Sequence, residues 1–228
     1  MQKKLVLFDI DGTLLKSTDP ILRERFTYAM EKVYGVQATV DWSEEGLIDT
    51  TIFTRSLVKS GLTPNQIQEK LPVAFEAIFE HFSTNITAEY SESILPGARE
   101  ILEQLKTHVH IGLLTGNYEK VGWHKVDYVG LKDYFTFGVF GHEAEDRNSL
   151  ARLVHDKAKK FFGFAFKADD VYIIGDTPSD IACAREIHAH AIIVTTGKYS
   201  KEELRTHHPD LLVKDLTDPE ILKFILGK

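Results

Sequence analysis

One cysteine, Cys183, stands in 228 residues. That rules out an internal disulfide and fits a reducing compartment. Its setting, "DIACAREI", reads as a packing position. Long apolar runs are also missing: nothing approaches the ~20 apolar residues that a membrane-crossing helix needs. The first ten residues, "MQKKLVLFDI", begin like a secretory signal, but Asp9 and Asp11 interrupt the apolar run too soon for a secretory core. The expected location is therefore the cytoplasm, with no membrane partner. Positive charge is not in surplus: 27 Lys and Arg face 34 Asp and Glu, a net charge of −7. This argues against a nucleic-acid partner held through its phosphates. No internal repeat or low-complexity segment stands out.

What is present is a set of short apolar runs: "KLVLF", "VHIGLLT", "TFGVF", "VYIIG", "AIIVT" and "DLLV". They are rich in Val and Ile and do not alternate with polar residues, as expected of strands covered on both faces of a parallel sheet. Helical spacing fills the gaps from about residue 96 onward. "PGAREILEQLKTH" carries Ile101, Leu102 and Leu105, and "RNSLARLVHDKAKKFFG" runs from Arg147 to a stop at Gly163. Alternating strands and helices imply an α/β fold with right-handed crossovers. The rhythm breaks after the first strand, where "ILRERFTYAMEKVYG", "TTIFTRSLVKSG" and "TPNQIQEKLPVAFEAIFEHF" all read as helices. Residues 16–93 are thus expected to form a helical insert in a core made of residues 1–15 and 94–228. Pro72 is expected to kink or end one of its helices.

In a parallel α/β sheet ligands bind beyond the carboxyl ends of the strands. Four polar clusters fall there: "DIDGT", "TGN", "EAEDR" and "GDTPSD". Asp9 and Asp11 are two apart, so a regular strand would aim both to one face, and the chain is expected to turn at that point. Gly12 lets the backbone approach a neighbour closely, and Thr13 and Thr115 supply hydroxyls. Asp176 and Asp180 add further negative charge. So many carboxylates in one cleft call for a cation, and a hard divalent ion with oxygen ligands, Mg²⁺ above all, suits them. The competing reading makes each aspartate a turn former or helix cap.

These segments carry a resemblance. "DIDGTLL", "LLTGN" and "IGDTPSDIACA" are similar to the first, second and fourth motifs of the haloacid dehalogenase-like hydrolases, and order and spacing fit over nearly the whole chain. The resemblance implies a Rossmann-like core, a helical cap after the first strand, and a covalent aspartyl intermediate. It implies that Asp9 is the nucleophile and a metal ligand. Asp11 would be the acid and base, ligating the metal through its backbone carbonyl. Asp176 would be a direct ligand, and Asp180 a ligand or the partner of a bound water. Thr115 and the amides around Gly116 and Asn117 would hold the phosphoryl oxygens. Neighbouring carboxylates are expected to raise the Asp11 pKa.

The third motif departs from the family, which usually has a lysine there. Arg147 stands in the comparable place and keeps the charge with a different geometry. Lys157, Lys159 and Lys160 are alternatives expected to face solvent. In the insert, "EEGLIDTTIF" resembles the segment that faces the leaving group, with Asp49, Thr50 and Arg55 as candidates against ordinary helix capping. The ten histidines show no zinc-site spacing, and Trp42 and Trp123 read as packing residues.

An acidic residue two after the nucleophile favours phosphoester chemistry over dehalogenation. The linker "LLKSTDPILRERF" lacks the histidine carried by similar sugar-phosphate mutases, so the chain looks most like the phosphoglycolate phosphatase branch. The expectation is a phosphatase acting on a small phosphorylated metabolite. The alternatives are a β-phosphoglucomutase-like phosphotransferase and a non-catalytic Mg²⁺-binding regulatory protein of the same fold.

Overall fold

The computed structural model describes residues 4–42 and 46–227. Met1, Gln2 and Lys3 of the N-terminal stretch, and Glu44 and Glu45 of the insert loop, lie outside the described residues. All six apolar runs are strands: β1 (Leu5–Phe8), β2 (His110–Thr115), β3 (Phe137–Phe140), β4 (Val171–Gly175), β5 (His190–Val194) and β6 (Leu211–Val213). They form one parallel sheet in the order β3-β2-β1-β4-β5-β6. The chain first builds outward from β1 through β2 and β3, then returns to lay β4 on the other side of β1. The order therefore reverses between β1 and β4, and the crevice of the sheet lies at their carboxyl ends.

Successive strand residues point to opposite faces, and both faces are covered. Val6 and Phe8 of β1 join one apolar cluster, while Leu5 and Leu7 join the other. Three helices cover the first face, α4 (Ala98–Leu105), α5 (Glu119–Tyr128) and α9 (Glu220–Leu226). The second is covered by α6 (Arg147–Phe162), α7 (Pro178–Glu186) and α8 (Lys201–Thr206). This two-sided burial explains why the strand runs do not alternate. No helix among the described residues is long and apolar enough to cross a membrane.

Between β1 and β2 the chain makes α1 (Ile21–Ala29), α2 (Asp49–Lys59) and α3 (Pro64–Asn85). A five-residue π turn, Met30–Tyr34, extends α1 and ends at Gly35, whose φ of 69° suits glycine. The outgoing and returning chain lie side by side, with the Lys16 N–H on the Ser93 carbonyl and the Leu95 N–H on the Leu14 carbonyl. The insert shares the apolar cluster on the α5 side of the sheet through Phe26, Phe53, Phe75 and Phe82. Phe75 also stacks on Tyr118 at 4.7 Å between ring centroids.

Pro72 does not end α3, which runs unbroken from a Thr63 capping box with Pro64 in its first turn. The buried stripe Ile67, Leu71, Ala74, Phe75, Ile78 and Phe82 holds the helix together across the proline. Pro72 itself is exposed, so water can satisfy the carbonyl that loses its partner. Because α3 still forgoes one hydrogen bond there, Pro72→Ala is expected to raise stability by about 1–3 kcal/mol in urea unfolding. A loss of stability would show that the native packing depends on the proline.

Candidate active site

β1 ends at Phe8, and the chain turns through Asp9, Ile10 and Asp11, as their two-residue spacing predicts. The turn sends the two carboxylates to different partners. Asp9 accepts from the Ile10 N–H at 2.8 Å through Oδ1 and from Arg147 at 3.0 Å through Oδ2. Asp11 instead accepts two hydrogen bonds from Lys125 Nζ, at 2.8 and 2.6 Å, and one from Asn117 Nδ2 at 2.8 Å.

Asp9, Asp176 and Asp180 form a buried group whose carboxylate oxygens lie within 4.8 Å of one another. Thr13 donates to Asp176 Oδ1 at 3.0 Å. Gly12, at φ 84°, lets the turn pass against that carboxylate, since a Cβ there would sit 2.2 Å from Asp176 Oδ2. A second approach comes from the loop after β5, where Thr196 donates to the Gly12 carbonyl at 2.5 Å. Asp180 divides its oxygens. One accepts from Arg147 at 2.5 Å, and the other accepts from the Thr177 hydroxyl at 2.7 Å in the capping box of α7. The capping reading is therefore correct for Asp180, and the residue also belongs to the charged group.

Arg147 is the first residue of α6, buried, with its guanidinium bridging Asp9 and Asp180. Of the lysine alternatives, Lys159 and Lys160 are exposed. Lys157 does not simply face solvent: half-buried, it pairs with Glu143 and donates to the Gly138 carbonyl at 3.1 Å. Burial raises the Asp9 carboxyl to about 6, with Asp180 and Asp11 adding to the rise and Arg147 opposing it. Burial and the Asp180 and Asp9 charges raise Asp176 well above the usual carboxylate range. One guanidinium does not offset three clustered carboxylates, and the donor set is all oxygen. This group suits a metal cation.

Asp11 behaves otherwise than its neighbours suggest. Burial alone would raise its carboxyl, but the Lys125 ammonium and the hydrogen bonds from Lys125 and Asn117 outweigh that, and it sits below its ordinary value. Sequence reading missed Lys125. It is fully buried on α5, on the stripe with Val121 and Val126, and an ionisable residue on an otherwise apolar helical stripe is the signal that marks it.

The "TGN" turn completes this side. Thr115 and Asn117 are buried, and Asn117 Nδ2 donates to Thr115 Oγ1 at 2.8 Å. Gly116 brings the insert close, because a Cβ there would meet the Leu47 carbonyl at 2.6 Å and Arg147 Nη1 at 3.4 Å. Asp49 does not cap α2. Its N–H donates to the Gly116 carbonyl at 2.8 Å, its Oδ2 accepts from the Tyr118 N–H at 2.9 Å, and its Oδ1 accepts from buried Arg25 at 2.9 Å. Thr50 donates to the Gly141 carbonyl at 3.4 Å, and Arg55 lies exposed on α2. Trp42 packs beside Phe26 and Trp123 beside Phe140, as packing residues should. Among the described residues no histidine joins a potential metal group. Cys183 is buried and its thiol is pushed up to about 12 by burial, as an inert packing residue requires.

Two outcomes follow from these charges. With no metal added, at pH 8, Asp176→Asn is expected to unfold later than the parent by roughly 1–3 kcal/mol, because it relieves clustered charge. A divalent cation should raise the parent's melting temperature and leave the variant's nearly unchanged. The Asp11 carboxyl lies below its unfolded value, so its pairing stabilises the fold above about pH 4 and is lost as pH falls through the lower folded value. Lys125→Met is expected to cost about 1–3 kcal/mol at pH 7, a cost that shrinks under stronger acid, as urea titrations at several pH values would show.

The profile of the haloacid dehalogenase-like hydrolases matches residues 3–188. A phosphoglycolate phosphatase of Nitrosococcus oceani is 26% identical over 226 residues, 95% of each chain. One of Pseudomonas fluorescens is 24% identical over 221 residues, 93% of this chain and 77% of the relative. The fold is shared with a predicted phosphoglycolate phosphatase from Haemophilus somnus, at a TM-score of 0.67 and 19% identity over 98% of this chain and 99% of the other. It is shared too with a Bacteroides vulgatus protein named only provisionally as a β-phosphoglucomutase, at a TM-score of 0.66 and 23% identity over 99% and 90%. With its parallel sheet, its helical insert after β1 and its buried carboxylates at the β1–β4 crevice, the chain belongs to the haloacid dehalogenase-like hydrolase family.

Proposed function

We propose that the chain is a Mg²⁺-dependent phosphatase that hydrolyses a small phosphomonoester through Asp9, in the manner of the phosphoglycolate phosphatases it is similar to. The observation that carries this reading is the position of Asp9. It stands at the carboxyl end of β1, beside the crevice, paired with the Arg147 guanidinium and grouped with the Asp176 and Asp180 carboxylates. Residues 16–93 serve as the cap, and residues 1–15 and 94–228 as the core.

In this reading Asp9 attacks phosphorus, the bond to the leaving oxygen breaks, and an aspartyl phosphate forms. Asp11 gives the leaving oxygen its proton. Water then attacks the phosphorus, Asp11 takes the water's proton, and Asp9 is released with inorganic phosphate. Arg147, Thr115 and the Gly116 and Asn117 amides hold the phosphoryl oxygens, since phosphoryl transfer depends mainly on positioning and charge. Asp9, Asp176, Asp180 and the Asp11 carbonyl would hold Mg²⁺, which when bound offsets charge on the phosphoryl oxygens. Lys125 and Asn117 keep Asp11 ionised, the form the second half-reaction needs. Protonating it for the first half competes with the Lys125 pair. Thr50 lies on the cap at the seam with the core, in reach of the Gly141 carbonyl, and bounds the space left for the substrate.

The likeness to a β-phosphoglucomutase is one of fold. The cap linker from Leu14 to Phe26 holds no histidine, which favours release of phosphate to water over return to a sugar. Purified protein with Mg²⁺ should release inorganic phosphate from one or more members of a panel of small phosphomonoesters. Asp9→Asn should lower that rate by at least roughly 10³-fold, and a chelator should abolish it reversibly. No release from the parent, with Mg²⁺ still bound, would favour the non-catalytic protein.

A further inference from the structure

One buried ion pair has no part in the chemistry described so far. Asp49 opens α2 on the insert and Arg25 lies on α1, and the two pair at 2.9 Å with side chains 6% and 2% exposed. A carboxylate at the start of a helix ordinarily serves that helix's own N–H groups. Asp49 instead accepts from the Tyr118 N–H at 2.9 Å, at the start of α5 in the core. Its own N–H donates to the Gly116 carbonyl at 2.8 Å. One residue of the insert thus holds two peptide groups of the "TGN" turn.

In a planar trans peptide the carbonyl and the N–H point in opposite directions. Holding the Gly116 carbonyl therefore aims the Asn117 N–H, which belongs to the same peptide. That N–H lies 3.4 Å from Thr115 Oγ1, the side-chain group proposed to share the phosphoryl oxygens with it. The next peptide is held at both ends: the Gly141 N–H donates to the Asn117 carbonyl at 2.9 Å, and the Tyr118 N–H meets Asp49. The same turn aims Asn117 Nδ2 at Asp11. A carboxylate beside a turn that receives an anion would repel it. Arg25 cancels that charge. Its Nη2 meets Asp49, its Nε donates to the Leu22 carbonyl at 3.1 Å, and the Phe26 and Phe82 ring centroids lie 4.5 and 5.9 Å from the guanidinium.

We propose that Asp49 and Arg25 are positioning residues through which the insert completes the phosphoryl-holding turn of the core. Asp49 fixes the peptides of the turn, and Arg25 removes the charge that Asp49 would otherwise set beside an incoming phosphate. This rests on the phosphatase reading, which puts the phosphoryl oxygens on Thr115 and the turn amides. The pair does not touch Asp9, Asp176 or Asp180, so its loss acts on phosphate and not on the cation.

The test measures inhibition by inorganic phosphate on the whole chain with Mg²⁺, using the best ester of the panel, beside the rise in melting temperature on adding Mg²⁺. Arg25→Met leaves the Asp49 charge uncancelled and should raise the inhibition constant of phosphate at least about 10-fold. Arg25→Met with Asp49→Asn removes both charges and keeps an oxygen for the Tyr118 N–H. It should return that constant to within about threefold of the parent's. Arg25→Met with Asp49→Leu also removes both charges but leaves the Tyr118 N–H without an acceptor. Its constant should stay at least about 10-fold above that of the Asn double variant, with a lower kcat. The half-saturating Mg²⁺ concentration should stay within about twofold of the parent's in each variant. The two double variants carry the comparison if Arg25→Met alone does not fold. Equal phosphate inhibition in those two overturns the inference and leaves the phosphatase standing. So does a loss of the Mg²⁺ and phosphate responses in step, which marks a general loosening. A parent that releases phosphate from no ester of the panel removes the phosphatase reading, and the inference with it.

Discussion

Three buried carboxylates, Asp9, Asp176 and Asp180, share one space at the ends of β1 and β4, and a single guanidinium meets them. Their mutual repulsion is the constraint around which the rest is arranged. The chain brings them together in a buried place, so each carboxylate is given a donor. The Ile10 amide serves Asp9, Thr13 serves Asp176, and Thr177 with Arg147 serves Asp180. Glycine at position 12 is part of the same arrangement, because only a residue without a Cβ can pass against Asp176 there. Clustered buried charge of this kind is costly on its own, and its oxygen donors suit a cation.

The parallel sheet makes this gathering possible. β1 lies at the centre, flanked by β2 and β4, so the residues after all three strands open onto one edge. Arg147 reaches the same edge from the start of α6, the helix that follows β3. The insert is joined to that edge through Asp49, which touches the backbone at Gly116 and Tyr118 and accepts from Arg25. These contacts tie the insert to the "TGN" turn in this structure.

Much of this was legible in the chain itself. The strands were marked by Val- and Ile-rich runs, and the insert by the stretch of helical spacing between the first two. Pro72 was expected to kink or end its helix, and it does not end it, because the buried stripe from Ile67 to Phe82 carries the helix through the proline. Lys125 was marked only by a charge on an apolar stripe, and its partner Asp11 lies 114 positions away. The lowered Asp11 carboxyl was hidden for the same reason. Counting neighbouring acids predicts a rise, but the ammonium that reverses it belongs to another part of the chain. Arg147 was visible as a substitute cation, whereas its double contact with Asp9 and Asp180 was not.

The sequence by itself determined the α/β class, the place of the helical insert, and the kinds of side chain at each strand end. These are set by periodicities of two and 3.6 residues and by motifs a few residues long. Only the tertiary structure decided which carboxylate faces which cation. Asp9 meets Arg147 across 138 positions and Thr13 meets Asp176 across 163, distances in sequence that local spacing does not encode. It also set Arg25, Tyr90 and Lys125 around one phenylalanine ring. The energy of a buried charge depends on what stands within a few ångströms of it, and folding alone decides that.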